Sequence, residues 1–270
     1  MRLLFIGDIV GRDGRDAVAR YLPDLRNKLK LDGVILNADN AANGLGVTEQ
    51  NCIDFFALGV DCVTTGNHVW DKREIIPYFD REPRLIRAVN FPAGTIGNGH
   101  YVFQTEGGQR VLVIHALARV FMDPLDCPFT GVDAVLKSYQ LGRNVDAIFV
   151  DFHGEASSEK MAFGHYLDGR VTAVVGTHTH IPTADCHVLN GGTGFQSDAG
   201  MTGNYDSVIG VKKEVPIHRF VKQTPTDRMS PAEGEATFCG TYIETSQNGL
   251  CARIEPVILG PRLRNYTPSV

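Results

Sequence analysis

Apolar residues along the chain fall into short, charge-poor runs at positions 3–6, 34–36, 62–64, 111–114, 147–150 and 173–175. Each run is about the length of a strand and lacks strict alternation, the pattern of strands covered on both faces. Helical spacing fills several of the intervals. Positions 16–29 put Val18, Leu22, Leu25 and Leu29 on one face. Positions 48–58 open with Thr48, a capping residue type, and continue with Ile53, Phe55, Phe56 and Leu58. Weaker helical patterns cover 132–141 and 157–167. Strand–helix alternation predicts a layered α/β fold.

Two stretches read differently. "HYVFQTEGGQRVLVIHAL" has the form of a hairpin turning at Gly107-Gly108, and "EATFCGTYIETSQNGLCARIEPVILG" of one turning at Asn248-Gly249. They predict a second, more antiparallel sheet. No composition break, repeat or low-complexity tract divides the chain, so residues 1–270 are expected to form a single domain. The Pro-, Gly-, Asn- and Arg-rich stretch 77–99 is expected to be an ordered loop flanking a site.

Composition adds limits. The chain has 270 residues, 43% hydrophobic and 21% charged, which is ordinary globular usage. A formal net charge of −5 and the lack of a basic run give no footprint for duplex nucleic acid. The six cysteines form no C-x-x-C and are read as reduced, mostly buried thiols. "MRLLFIGDIVG" is interrupted by Gly7 and Asp8 too early for a signal peptide, and no run is long enough for a membrane span. A cytoplasmic location is the resulting expectation. The sequence leaves room for a homo-oligomer.

The residues that follow the apolar runs carry the chemistry. Asp8 follows the first, Asp39 and Asn40 the second, and Asn67 and His68 the third. Asp151 and His153 follow the run at 147–150, and His178 and His180 follow the one at 173–175. Open α/β sheets place their sites outside the carboxyl ends of the strands, where such residues converge. Alternation along an extended chain would point His178 and His180 at one spot. Oxygen and imidazole donors without thiolate suit a hydrolytic Mn, Fe, Zn or Co centre, and there are enough for two ions.

The ordered set "GD", "NADN", "GNH", "DFH" and "GTHTH" resembles the calcineurin-like metallophosphoesterases. "LLFIGDIVGRDGRD", "NADNAANGLGVTE", "TTGNHVWDKREI", "VNFPAGT", the segment from "VDFHGEASSEK" to "GTHTHIPTAD", and "SDAGMTGNYDSVIG" resemble their YmdB-like branch over nearly the whole chain. The resemblance implies a four-layer αββα sandwich with two divalent metal ions, iron or manganese first and zinc as a further option. Under it, Asp8 and His180 would bind one ion, Asn67, His153 and His178 the other, and Asp39 would bridge them. Asn40 and His68 would be catalytic residues that support the ligands or touch substrate. The branch usually carries Glu at the bridge, where this chain has the shorter Asp39. The first ion also lacks the histidine of the wider superfamily's D-x-H, because Ile9 and Val10 follow Asp8.

The implied activity is hydrolysis of a phosphodiester, with 2′,3′- or 3′,5′-cyclic nucleotides as the small substrate, by hydroxide made available near neutral pH by the ions. His68 would protonate the leaving group. Rivals are a phosphomonoesterase or nucleotidase on the same site, and a metal-bound regulatory protein with incidental turnover. Residue by residue, blander readings exist. His68 has a rival reading as a buried hydrogen-bonding histidine and Asn40 as a turn residue, while Trp70 could stack on a base but reads more as core. Arg12 and Arg15 read as a solvated helix start. Asp151 or Glu155 would orient a ligand ring or stand exposed. His187 and Cys186 read as structural, and His100, His115, His165 and His218 receive no role.

Overall fold

The computed structural model describes residues 1–269. The chain opens with β1 (Arg2–Ile6), α1 (Gly11–Leu29), β2 (Gly33–Asn37), α2 (Glu49–Ala57) and β3 (Cys62–Thr64). A 3₁₀ helix at Arg73–Tyr78 and an irregular stretch lead to β4 (His100–Gln104) and β5 (Arg110–Leu117). Next come α3 (Pro128–Leu136), β6 (Ala147–His153), α4 (Ser157–Leu167), β7 (Ala173–Thr177), β8 (His187–Val188) and β9 (Gly194–Gln196). The last elements are α5 (Glu214–Lys222), β10 (Phe238–Thr245) and β11 (Cys251–Leu259).

One sheet has the order β11-β10-β1-β2-β3 and the other β4-β5-β6-β7-β9-β8. β1, β2 and β3 run parallel, as do β5, β6, β7 and β9. Both expected hairpins are present, but they do not make a separate antiparallel sheet. β10 adds to the edge of the first parallel set, with Phe5 opposite Thr241. β5 joins the second set, with Ile114 opposite Val150. A turn signal fixes which two strands pair locally; it carries nothing about the strand on the other side.

Alternation along the strands builds three apolar layers. Leu4, Ile6, Val34 and Leu36 face Val18, Leu22 and Leu25 of α1 and Cys52 and Phe55 of α2. Leu3, Phe5 and Ile35 face Val111, Val113, Phe149 and Val175 of the other sheet. The Phe5 and Phe149 rings meet with centroids 4.8 Å apart. Leu112, Ile114, Ile148 and Val150 face Val132 of α3 and Phe163 and Leu167 of α4. The result is the four-layer αββα sandwich.

Element bounds differ from the pattern where non-local contacts rule. α1 begins at Gly11 rather than at residue 16, because Gly14 lets the helix press against the chain near Thr202. A Cβ there would fall 2.3 Å from the Thr202 carbonyl oxygen. α3 starts at Pro128, a residue that fits a first turn, and ends at Leu136. α2 is capped as expected: Thr48 accepts from the Asn51 backbone N–H, and Asn51 Oδ1 accepts from the Thr48 N–H. β6 continues through Asp151 to His153, past the charge that reads as its end. The six cysteines are free, and four of them are buried. No helix among the described residues is long and apolar enough to cross a membrane.

Candidate active site

Asp8, Asp39, Asn40, Asn67 and His68 lie in the turns that leave β1, β2 and β3. His153 ends β6, and His178 and His180 follow β7. The carboxyl edges of both parallel sets therefore face one place. The two histidines of the H-x-H do not reach it by strand alternation. β7 ends at Thr177, and His178 and His180 have φ of 102° and 67°. Such left-handed conformations are costly for non-glycine residues and cluster at functional sites. The turn also sends the two rings to different partners rather than to one spot.

On one side, His153 Nε2 lies 3.0 Å from Asn67 Oδ1, 3.2 Å from His178 Nδ1 and 3.5 Å from Asp39 Oδ2. Its protonation is set from behind. Thr177 Oγ1 donates to Asp151 Oδ1 at 2.7 Å, and so accepts at 2.9 Å from His153 Nδ1. The lone pair of His153 is thereby left on Nε2, facing the other donors. Glu155 Oε2 lies 3.3 Å from His178 Nε2, which favours the proton on that nitrogen and the lone pair on Nδ1.

On the other side, His180 Nδ1 donates to the Ile209 carbonyl at 2.7 Å, so Nε2 carries the lone pair. Asn40 Nδ2 donates to the Gly44 carbonyl at 3.0 Å, which turns Oδ1 toward the site. His180 Nε2 and Asn40 Oδ1 then stand 3.2 Å apart, acceptor to acceptor. Asp8 adds a carboxylate: Oδ2 accepts from the His178 N–H at 3.1 Å, and Oδ1 has no hydrogen-bond partner among the described residues. Asp39 lies between the two groups. Its Oδ1 accepts from the His68 N–H at 3.0 Å, and its Oδ2 is likewise without a hydrogen-bond partner among them.

The arrangement fits divalent cations. Buried acceptors facing each other without hydrogens are unfavourable unless positive charge lies among them. Donors about 2.1 Å from one octahedral ion stand about 3 Å from each other, the separation seen here. The set needs its carboxamides: no three His, Cys, Asp or Glu side chains among the described residues form a metal group by themselves. Electrostatics agree. Burial, reinforced by Asp198, pushes the Asp8 carboxyl well above its usual range. Burial raises Asp39 to about 6. Burial and the neighbouring rings lower His153 strongly and His178 to about 4, and burial lowers His180. The imidazoles are thus neutral and ready to ligate, while the carboxylates are short of positive charge. Gly66 keeps the space open; a Cβ there would fall 2.5 Å from His153 Nε2 and 2.6 Å from Asp39 Cγ.

Supporting residues stand behind the cluster: Asp151 is the strand-end carboxylate expected to orient a ring, whereas His115, Lys160 and Asp198 are not evident from strand-end reading. Asp151 is fully buried and also accepts from Asn37 Nδ2 at 2.8 Å and Thr64 Oγ1 at 2.5 Å. His115, given no role from sequence, is fully buried with Nδ1 3.4 Å from Asp151 Oδ2. Lys160, 2% exposed, donates to Thr177 O at 2.8 Å and to Asp198 Oδ2 at 2.9 Å. Asp198 accepts in turn from Thr179 N and Thr179 Oγ1, between the two histidines. The "SDAG" segment holds Asp198, but its spacing alone does not disclose this contact. Arg12 is exposed beside Asp16, and Arg15 donates to the Ala41 carbonyl.

Two mixed sheets whose carboxyl edges meet at such a donor set define a metallophosphoesterase-type hydrolase. Residues 4–257 match the family described as YmdB-like protein, and the chain belongs to that family. It is 44% identical over 260 residues to the 2′,3′-cyclic-nucleotide 2′-phosphodiesterase of Bacillus subtilis (strain 168), covering 96% of this chain and 97% of that protein. A hypothetical protein from Thermus thermophilus superposes with a TM-score of 0.90 at 41% identity, over 96% of this chain and 99% of that one. A novel phosphatase from Mycoplasma pneumoniae superposes with a TM-score of 0.89 at 28% identity, over 96% and 93%.

Proposed function

We propose that the chain is a metal-dependent phosphodiesterase acting on cyclic nucleotides, with 2′,3′-cyclic nucleotides as the leading substrates. The observation that supports it most is the acceptor-to-acceptor contact of His180 Nε2 and Asn40 Oδ1 beside the unpartnered Asp8 Oδ1. Asp8, Asn40 and His180 would hold one divalent ion, and Asn67, His153 and His178 the other, with Asp39 shared. In this reading Asn40 joins the ligands instead of touching substrate. Iron or manganese suits mixed oxygen and imidazole donors. When bound, the two ions would supply Lewis acidity toward phosphoryl oxygens and lower the pKa of a coordinated water.

The remaining chemistry belongs to the chain. His68 Nδ1 lies 2.8 Å from Asp71 Oδ2, so Asp71 orients the ring and leaves Nε2 as its working nitrogen. The His68 backbone is tied to Asp39, which fixes the ring's base beside the shared carboxylate. His68 would deliver a proton to the ribose oxygen as its bond to phosphorus breaks. No side-chain nucleophile is required, since water supplies the oxygen that adds. The test is turnover of 2′,3′-cyclic AMP, 3′,5′-cyclic AMP and 5′-AMP with Mn²⁺ or Fe²⁺. Cleavage of the 2′,3′-cyclic diester well ahead of the monoester is the expected result. Preferred release of phosphate from 5′-AMP would replace this reading with a nucleotidase.

A further inference from the structure

We propose that the apolar cleft beside Asn67 takes the nucleobase of the substrate, with Asp123 facing the N–H groups on the base edge. The proposal rests on the phosphodiesterase reading above. The cleft opens to solvent, and its walls include Asn67, Trp70, Phe91, Met122, Asp123 and Leu125. Asn67 also lies 3.0 Å from His153 Nε2, so the cleft starts where the donor cluster ends. A base held there would be continuous with a phosphate at the donors.

The walls are set before any ligand arrives. Trp70 is braced against Phe79 at 5.3 Å and edge-on to Phe91 at 5.8 Å. The segment that carries Met122, Asp123 and Leu125 is clamped at both ends by Asn90, which is 1% exposed. Its Nδ2 donates to the Leu117 and Asp126 carbonyls at 2.9 and 3.0 Å, and its Oδ1 accepts from the Leu117 N–H. The same segment is tied to the site strand through Ala118 N and His153 O, 2.9 Å apart. Aromatic and thioether walls suit the flat face of a base. Asp123, the one charged side chain lining the cleft among the described residues, can only accept when ionised. Guanine presents a ring N–H beside an amino group, whereas uracil flanks its single N–H with carbonyls that a carboxylate repels. Guanine is therefore favoured and uracil disfavoured.

The experiment compares kcat/KM for the 2′,3′-cyclic phosphates of guanosine, adenosine, cytidine and uridine with that for methyl ribofuranoside 2′,3′-cyclic phosphate, which has the same reacting diester and no base. The wild-type protein should prefer the nucleotides by about tenfold to a hundredfold, the scale of base–aromatic stacking, with guanine first and uracil last. Met122→Trp should bring the nucleotide-to-riboside ratio toward one, and Asp123→Ala should level the order among bases. A wild-type ratio near one with the riboside cleaved, or a ratio unchanged by Met122→Trp, overturns the cleft and leaves the phosphodiesterase standing. No cleavage of any of the five diesters contradicts the phosphodiesterase reading itself, and the cleft proposal falls with it.

Discussion

His180 Nε2 and Asn40 Oδ1 face each other across 3.2 Å, while His180 Nδ1 and Asn40 Nδ2 donate elsewhere, to Ile209 O and Gly44 O. A divalent ion held by these two residues and Asp8 would remove the conflict. Asn40→Leu should therefore reduce bound divalent metal from two equivalents toward one, measured by elemental analysis after dialysis. Two retained equivalents with activity lost would return Asn40 to a substrate-contacting role.

Thr177 sets the tautomer of His153 by accepting from Nδ1 while donating to Asp151. In Thr177→Val both partners lose their bond inside a fully buried site. Metal affinity should fall about 10- to 100-fold, the usual cost of losing such a support. Thr177→Ser keeps the hydroxyl and should restore it. Chelator competition reads both variants, and equal affinity in wild type and valine variant would discard the assignment.

Gly66 stands where a side chain would enter the donor cluster, within 2.5 Å of His153 Nε2. Gly66→Ala should fold with a loss of about 1–3 kcal/mol, typical of overpacking. Metal retention should fall far more than denaturant stability. The two losses are separated by measuring metal content on folded protein at low denaturant. A variant that keeps both ions would show that the cluster opens elsewhere.

His68 is argued to protonate the leaving oxygen. His68→Ala should slow cyclic nucleotide hydrolysis by about 10²- to 10⁴-fold. Hydrolysis of bis-p-nitrophenyl phosphate should slow much less, because p-nitrophenolate leaves without a proton. Equal losses on both substrates would assign His68 to binding or support rather than proton transfer. Its partner Asp71, 2.8 Å away, should give the same pattern at smaller size when changed to Asn.

The strands and the polar residues that gather at their ends are legible because both signals are local. Asp8, Asp39 and Asn67 sit just past apolar runs, where an α/β sheet exposes its working edge. Strand alternation predicts one spot for His178 and His180, but β7 ends at Thr177 and a left-handed turn sends the two rings to different partners. What stayed hidden depends on distant partners. Nothing in the sequence singles out Lys160, and only the fold shows it buried against Asp198. The apolar run at 147–150 ends in sequence at Asp151, yet the strand continues because Asn37, Thr64 and Thr177 satisfy that carboxylate. The two hairpins could be seen individually, but their assignment to different sheets is decided by strands far away in the chain.

The most direct test of the two-ion site is a titration of chelated, metal-free protein with Mn²⁺, following bound metal and 2′,3′-cyclic AMP hydrolysis in the same samples. A two-ion site predicts no turnover without metal, saturation at two equivalents per chain, and turnover that rises chiefly with the second. Turnover that persists in the metal-free protein, or is complete with a single bound ion, would contradict it.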